Sequence, residues 1–159
     1  MTKGRVHKFG DNIDTDQIYP GRYLDISDHK EIAEHAMEGA DPEFADTVEE
    51  GDIIAAGSNF GCGSSREHAV ITLKNAGVGA VIAKSFARIF YRNAVNLALP
   101  VIQIKDVNFK VDEELEVNLE EAFIKREDGS IIEFTPLPEN ILAIYKAGGV
   151  IPYYKTKHA

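Results

Sequence analysis

GDIIAAGSNFGCGSSREHAV, residues 51–70, passes from an apolar run through a glycine loop into a helical pattern. GDIIAAG (51–57) predicts a short buried strand that runs straight into a loop carrying Gly57, Gly61 and Gly63. From Ser64 the period changes. Ser64 and Glu67 have the S-x-x-E spacing of a capping box, and Ala69, Val70, Leu73 and Ala76 follow on one helical face. Glycines let the backbone take positive φ and let a ligand approach closely. A helix start turns free N–H groups and a positive dipole end toward the loop, which favours an anion. Arg66, expected in the first turn, adds a guanidinium fork suited to a carboxylate or phosphate. Composition and spacing alone leave two readings open. One is an anion site rimmed by hydroxyls; the other is a glycine-rich turn into a well-capped helix with Ser64 as its N-cap.

Working outward, Gly77 and Gly79 end the helix and AVIAKS (80–85) is the next buried strand. In SFARIFYRNAVNLALP, residues Phe86, Ile89, Phe90, Asn93, Ala94 and Leu97 recur at helical spacing, and Pro100 closes the element before the strand VIQI (101–104). Upstream, RVHKF (5–9) alternates like a strand, DNIDTDQIYPG (11–21) is rich in turn residues, and HKEIAEHAMEG (29–39) predicts a short helix. Downstream, LEVNL (115–119), AFIKRE (122–127) and SIIEFTP (130–136) suggest an antiparallel meander with Asp128-Gly129 as a turn; PENILAIYKAGG (138–149) suggests a last helix. The expectation is an α/β fold, a parallel sheet core flanked by helices with additional antiparallel strands, in a single domain over 1–159.

The formal net charge of −9 argues against a nucleic-acid or anionic-membrane binder, although Arg66, Arg88 and Arg92 could line a local basic pocket. MTKGRVHKFGD has no apolar run after its charges, so no secretory signal is expected, and no stretch is apolar for long enough to span a bilayer. The single cysteine, Cys62, fits a reducing compartment, and a cytoplasmic location is the expectation. An iron–sulfur cluster or structural zinc needs several Cys or His ligands. One Cys and five His (7, 29, 35, 68 and 158) without ligand spacing predict no metal site on this chain; any metal in the chemistry must be held by another. Asp11, Asp14 and Asp16 suggest a calcium loop, but Arg22 stands where its bidentate Glu belongs, so they are expected to cap turns. The phosphate loop G-x-x-x-x-G-K-[ST] is absent, and Arg66 breaks G-x-G-x-x-G. Cys62 is expected as a loop-packing residue and His68 as a packed helix residue.

Three segments resemble the swivelling domain of the aconitase superfamily. GSNFGCGSSREHAV (57–70) is similar to that family's G-x-N-F-G-x-G-S-S-R-E-x-A segment; KSFARIFYRNAVNLALPVI (84–102) and DNIDTDQIYPGRYL (11–24) are similar to its other signatures, in the family's order. A free-standing chain of this length resembles the small subunits of 3-isopropylmalate dehydratase and its relatives. The resemblance implies a swivelling β/β/α domain that closes over a large subunit carrying a [4Fe–4S] cluster. It implies dehydration and rehydration of a hydroxy di- or tricarboxylate. On that basis Ser64 is the candidate base, Arg66 binds a substrate carboxylate with Ser65 assisting, and the partner's cluster acts as Lewis acid on the hydroxyl. A serine base needs its alkoxide stabilised, and the helix N–H groups with Arg66 are the expected source. Tyr23, Leu24, Asp25 and Ile26 then face the variable end of the substrate. Asp25, if turned inward, repels a further carboxylate, and Ile26 suits an alkyl group. Isopropylmalate is the first expectation, in leucine biosynthesis; homoaconitate, citramalate and dimethylmalate are alternatives, as is a non-catalytic anion-binding or regulatory domain.

Overall fold

A computed structural model of the chain describes residues 2–106 and 108–157; His158 lies outside the described residues. The strands are β1 (Thr2–Lys8), β2 (Ile53–Ala56), β3 (Ala80–Ala83), β4 (Val101–Gln103), β5 (Glu114–Asn118), β6 (Phe123–Lys125) and β7 (Ile131–Glu133). The helices are α1 (Thr15–Ile18), α2 (His29–Ala33), α3 (Phe44–Thr47), α4 (His68–Asn75), α5 (Arg88–Asn96), α6 (Glu139–Ala147) and α7 (Val150–Lys157).

The strands form one sheet in the order β4-β3-β2-β1-β5-β6-β7. β1 to β4 pair in parallel, joined through helices, as the alternation across 51–104 requires. β5, β6 and β7 add an antiparallel meander onto the other edge of β1, with Thr2 opposite Val117 and Val117 opposite Ile124.

The side-chain period of two sends neighbouring strand residues to opposite faces. Ile54, Val81 and Val101 join a core with helical residues such as Ala69, Leu73, Phe90 and Ala94. Ile53, Ile82 and Ile102 instead join Leu115, Val117 and Ile124 of the meander, with Ile132 and Phe134 against them. This second cluster contains no helical residue among those described. The antiparallel half therefore folds over one face of the parallel half while helices cover the other, which gives the three layers of the β/β/α arrangement.

Three local expectations change. The helix over 29–39 stops at Ala33, because the next turns are recruited elsewhere. Met37 N–H donates to Ile18 O and Gly39 N–H to Gln17 O, and Met37 takes a φ of 57°. Gly39 is obligatory there, since a Cβ would stand 2.6 Å from Gln17 Cα. The helix after the glycine loop begins at His68, not at Ser64, with Glu67 as an N-cap that makes no side-chain bond. On α5 the buried residues are Phe90, Ala94 and Val95, whereas Ile89 is half exposed. The C-terminal α7 has no counterpart in the sequence reading.

Candidate active site

The loops that follow β1, β2 and β3 at their carboxyl ends are laced together. Past β1, Phe9 N–H donates to Ala55 O, Asn12 N–H to Ser58 O, and Thr15 N–H to Cys62 O at 2.8 Å; Gly61 N–H returns to Ile13 O at 2.7 Å. On the other side Phe60 N–H donates to Ser85 O and Ala87 N–H to Phe60 O. The glycine loop is thus a central thread between two neighbours. That location, beyond the carboxyl ends of parallel strands, is where open α/β sheets take ligands.

Two glycines are needed for this threading. Gly61 has a φ of 84°, and a Cβ on it would stand 2.3 Å from Phe90 Cγ. Gly63 has a φ of 107° and lies over Thr15, where a Cβ would come within 3.1 Å of Oγ1. The chain passes so close to the DNIDTD segment that successive residues of the two signatures meet in pairs.

The first pair is Thr15 and Ser64. Ser64 N–H donates to Thr15 Oγ1 at 3.2 Å, and the two hydroxyl oxygens are 3.1 Å apart. Thr15 is buried, while Ser64 and Ser65 face solvent. Either hydroxyl can donate across this contact, so the geometry allows Thr15 to donate to Ser64 Oγ. It also explains the lost capping box: Ser64 is engaged by another segment, so the helix starts four residues later.

The second pair is Asp16 and Arg66. Asp16 Oδ1 accepts Gly21 N–H at 2.8 Å and Arg66 Nη1 at 3.3 Å. The Gly21 N–H, and then Arg66, hold the Asp16 carboxyl below the usual carboxylate range. Arg66 lies against Gly21, both terminal nitrogens 3.3 Å from where a Cβ would sit. Arg66 stands just ahead of α4, before its N-cap Glu67, and is oriented by Asp16 and Gly21. The hydroxyl of Thr15 takes the place expected for the helix start at Ser64.

Asp14 does cap its own turn, with Gln17 completing a capping box on α1, whereas Asp11 accepts Ser58 N–H from the glycine loop at 2.7 Å and ties the two loops together. Ser65 offers its carbonyl to Asn93 Nδ2 at 3.4 Å. His68 is packed, stacked on buried Tyr19 at 5.5 Å. Cys62 is half-buried. Arg88 and Arg92 are exposed on α5. Tyr23 ends a 3-10 turn (Gly21–Tyr23) and faces His35 and Glu38, Leu24 and Asp25 are exposed, and Ile26 is half-buried. No hydrogen bond among the described residues joins Tyr23, Leu24, Asp25 or Ile26 to Ser64; their link to the loop runs through Gly21 and Arg66.

Thr15 was missed in the sequence because the aspartates around it accounted for the segment as turns. Its one signal was a hydroxyl set between two acids.

The profile of the Aconitase C-terminal domain family matches residues 2–107. The chain belongs to that family. Within the aconitase C-terminal domain family it is 54% identical over 158 residues to 3-isopropylmalate dehydratase small subunit 1 of Methanopyrus kandleri, covering 98% of this chain and 93% of that one. It is 55% identical to the isopropylmalate/citramalate isomerase small subunit of Methanocaldococcus jannaschii, covering 100% and 96%. A crystal structure of 3-isopropylmalate dehydratase from Methanocaldococcus jannaschii superposes with a TM-score of 0.93 at 47% identity, covering 99% of this chain and 95% of that one.

An iron–sulfur cluster does not fit on this family member's own residues. It has one thiol, and among the described residues no three His, Cys, Asp or Glu are grouped to hold a metal ion. No helix among the described residues is long and apolar enough to cross a membrane.

Proposed function

We propose that this chain is the small subunit of a 3-isopropylmalate dehydratase, a hydro-lyase that interconverts 2- and 3-isopropylmalate in leucine biosynthesis and works in the cytoplasm. It acts only with a large subunit, which carries the [4Fe–4S] cluster and supplies Lewis-acid chemistry at the substrate hydroxyl. The observation that carries this reading is the solvent-facing Ser64–Arg66 rim with Thr15 against Ser64. A base and a carboxylate clamp stand open on one side, as half of a site would.

Within that site Ser64 Oγ takes the proton from the substrate carbon. It acts as an alkoxide and becomes a neutral hydroxyl on taking that proton. The Thr15 hydroxyl donates to Oγ and stabilises the negative charge it carries before the transfer. Arg66, oriented by Asp16 and Gly21, binds a substrate carboxylate with two hydrogen bonds, and Ser65 at the rim assists. Tyr23, Leu24, Asp25 and Ile26 form the edge that reads the substituent. Exposed Asp25 repels a second distal carboxylate and disfavours homoaconitate.

A second reading, activity on citramalate as well, is favoured by the Methanocaldococcus jannaschii relative, whose name carries both substrates. The test is co-expression with a candidate large subunit, anaerobically and with iron, followed by absorbance of the unsaturated product for a panel of malates. Turnover of isopropylmalate supports the reading, and equal turnover of citramalate supports dual use. Turnover by the purified chain alone contradicts the two-subunit assignment.

A further inference from the structure

The proposed site has an outer support that neither Ser64 nor Arg66 explains, centred on Glu38. Glu38 Oε1 accepts Arg22 Nη2 at 2.9 Å and the Tyr23 hydroxyl at 2.8 Å, while Oε2 accepts His35 Nδ1. The His35 ring lies flat on the Tyr23 ring, with centroids 3.7 Å apart and planes at 13°. The Arg22 guanidinium covers the Tyr23 ring at 4.6 Å. Burial works to raise the Glu38 carboxyl, but the bonds from His35 and Tyr23 and the charge of Arg22 outweigh it and hold it below the usual range.

These contacts clamp one end of the turn Gly21–Tyr23. The other end is the Gly21 N–H on Asp16, which also holds Arg66. Between the two, the hydroxyl of buried Tyr19 donates to Tyr23 O at 2.7 Å, and Tyr19 itself stacks on His68. A short turn is therefore pinned at three points, and just beyond it the Leu24 N–H donates back to Gly21 O while Leu24 and Asp25 are exposed. Holding a recognition edge still before substrate arrives removes an ordering cost from binding.

We infer that Glu38, with His35 stacked on Tyr23, is a positioning residue that sets Tyr23–Ile26 against Arg66 and thereby fixes which substituent the site accepts. The inference rests on the proposed dehydratase reading and deepens it. It predicts that losing Glu38 loosens discrimination rather than proton transfer.

The experiment uses Glu38→Gln, Glu38→Ala and Tyr23→Phe in the co-expressed two-subunit enzyme and in this chain alone. For the enzyme we expect KM for isopropylmalate to rise about tenfold, with kcat within about threefold and the isopropylmalate-to-citramalate ratio of kcat/KM changed at least about fivefold. In the chain alone, amide exchange over residues 21–26 should speed up about tenfold in Glu38→Ala, while that of the β2 and β3 strands stays unchanged. A ratio unchanged in all three variants overturns the inference, even where the melting temperature falls, since that is the behaviour of a merely structural residue. Unchanged exchange over 21–26 overturns it as well. Failure of the unmodified pair to turn over any malate contradicts the dehydratase reading instead, and the exchange result then still decides whether Glu38 positions the turn.

Discussion

Thr15 and Ser64, forty-nine residues apart, are joined twice: the Thr15 hydroxyl oxygen accepts the Ser64 N–H and lies 3.1 Å from the Ser64 hydroxyl oxygen. The contact sets a hydroxyl able to donate beside the atom proposed as the base, and the Ser64 N–H bond fixes the loop backbone at the same point. Thr15→Val keeps the shape and removes both bonds. We expect it to lower kcat of the two-subunit enzyme by about 10- to 100-fold with little change in KM, and Thr15→Ser to restore most of the loss. Steady-state kinetics on the purified complex checks this.

Arg66 meets Asp16 and Gly21 through a planar fork, and the same fork is assigned to the substrate carboxylate. Lysine keeps the charge but presents a point donor without that geometry. Arg66→Lys should raise KM by about 10- to 100-fold, more than it lowers kcat. Initial rates over a substrate series separate the two effects.

Gly61 is held in a left-handed conformation against the Phe90 ring. Any side chain there is strained twice, by its backbone and by the ring. Gly61→Ala should destabilise the isolated chain by about 2–4 kcal/mol, seen as a lowered urea midpoint with an unchanged slope.

Two buried carboxylates contribute to the response to acid. Glu113 accepts both Nε and Nη2 of Arg126, at 2.7 and 2.8 Å, and that pairing holds its carboxyl below the usual range. Burial works to raise Asp52, but His7 and the Arg5 and Glu49 N–H groups outweigh it, and its carboxyl is also lowered. Groups depressed on folding contribute stability fully above their unfolded values, near pH 4, and that contribution is lost as pH falls through the lower folded values. Urea titrations of the chain should therefore show stability steady from about pH 7 to 5 and falling below about pH 4. Glu113→Gln and Asp52→Asn should each shallow that fall.

The residues show unevenly how much of this was legible beforehand. β2, β3 and β4 are short apolar runs bounded by Gly or Pro, so their strand character lies in their own side chains. The meander was equally plain, with Gly129 at its turn. The start of α4 was not, because the local capping signal of Ser64 and Glu67 lost to a tertiary partner, Thr15. The end of α2 failed for the same reason, its next turns bonding to Ile18 and Gln17. Arg66 and Ser64 stand out in the motif as candidate chemistry. Their partners Thr15 and Asp16 do not, since pairing across forty-nine and fifty residues leaves no periodic trace.

The central claim is that Ser64, supported by Thr15, supplies the base to a site that a second subunit completes. Its most direct test is the turnover of isopropylmalate by the Ser64→Ala complex, with subunit association checked on the same sample by size-exclusion chromatography. The account predicts an intact complex whose rate falls by at least about 10³-fold. An intact complex with near-normal turnover would contradict it.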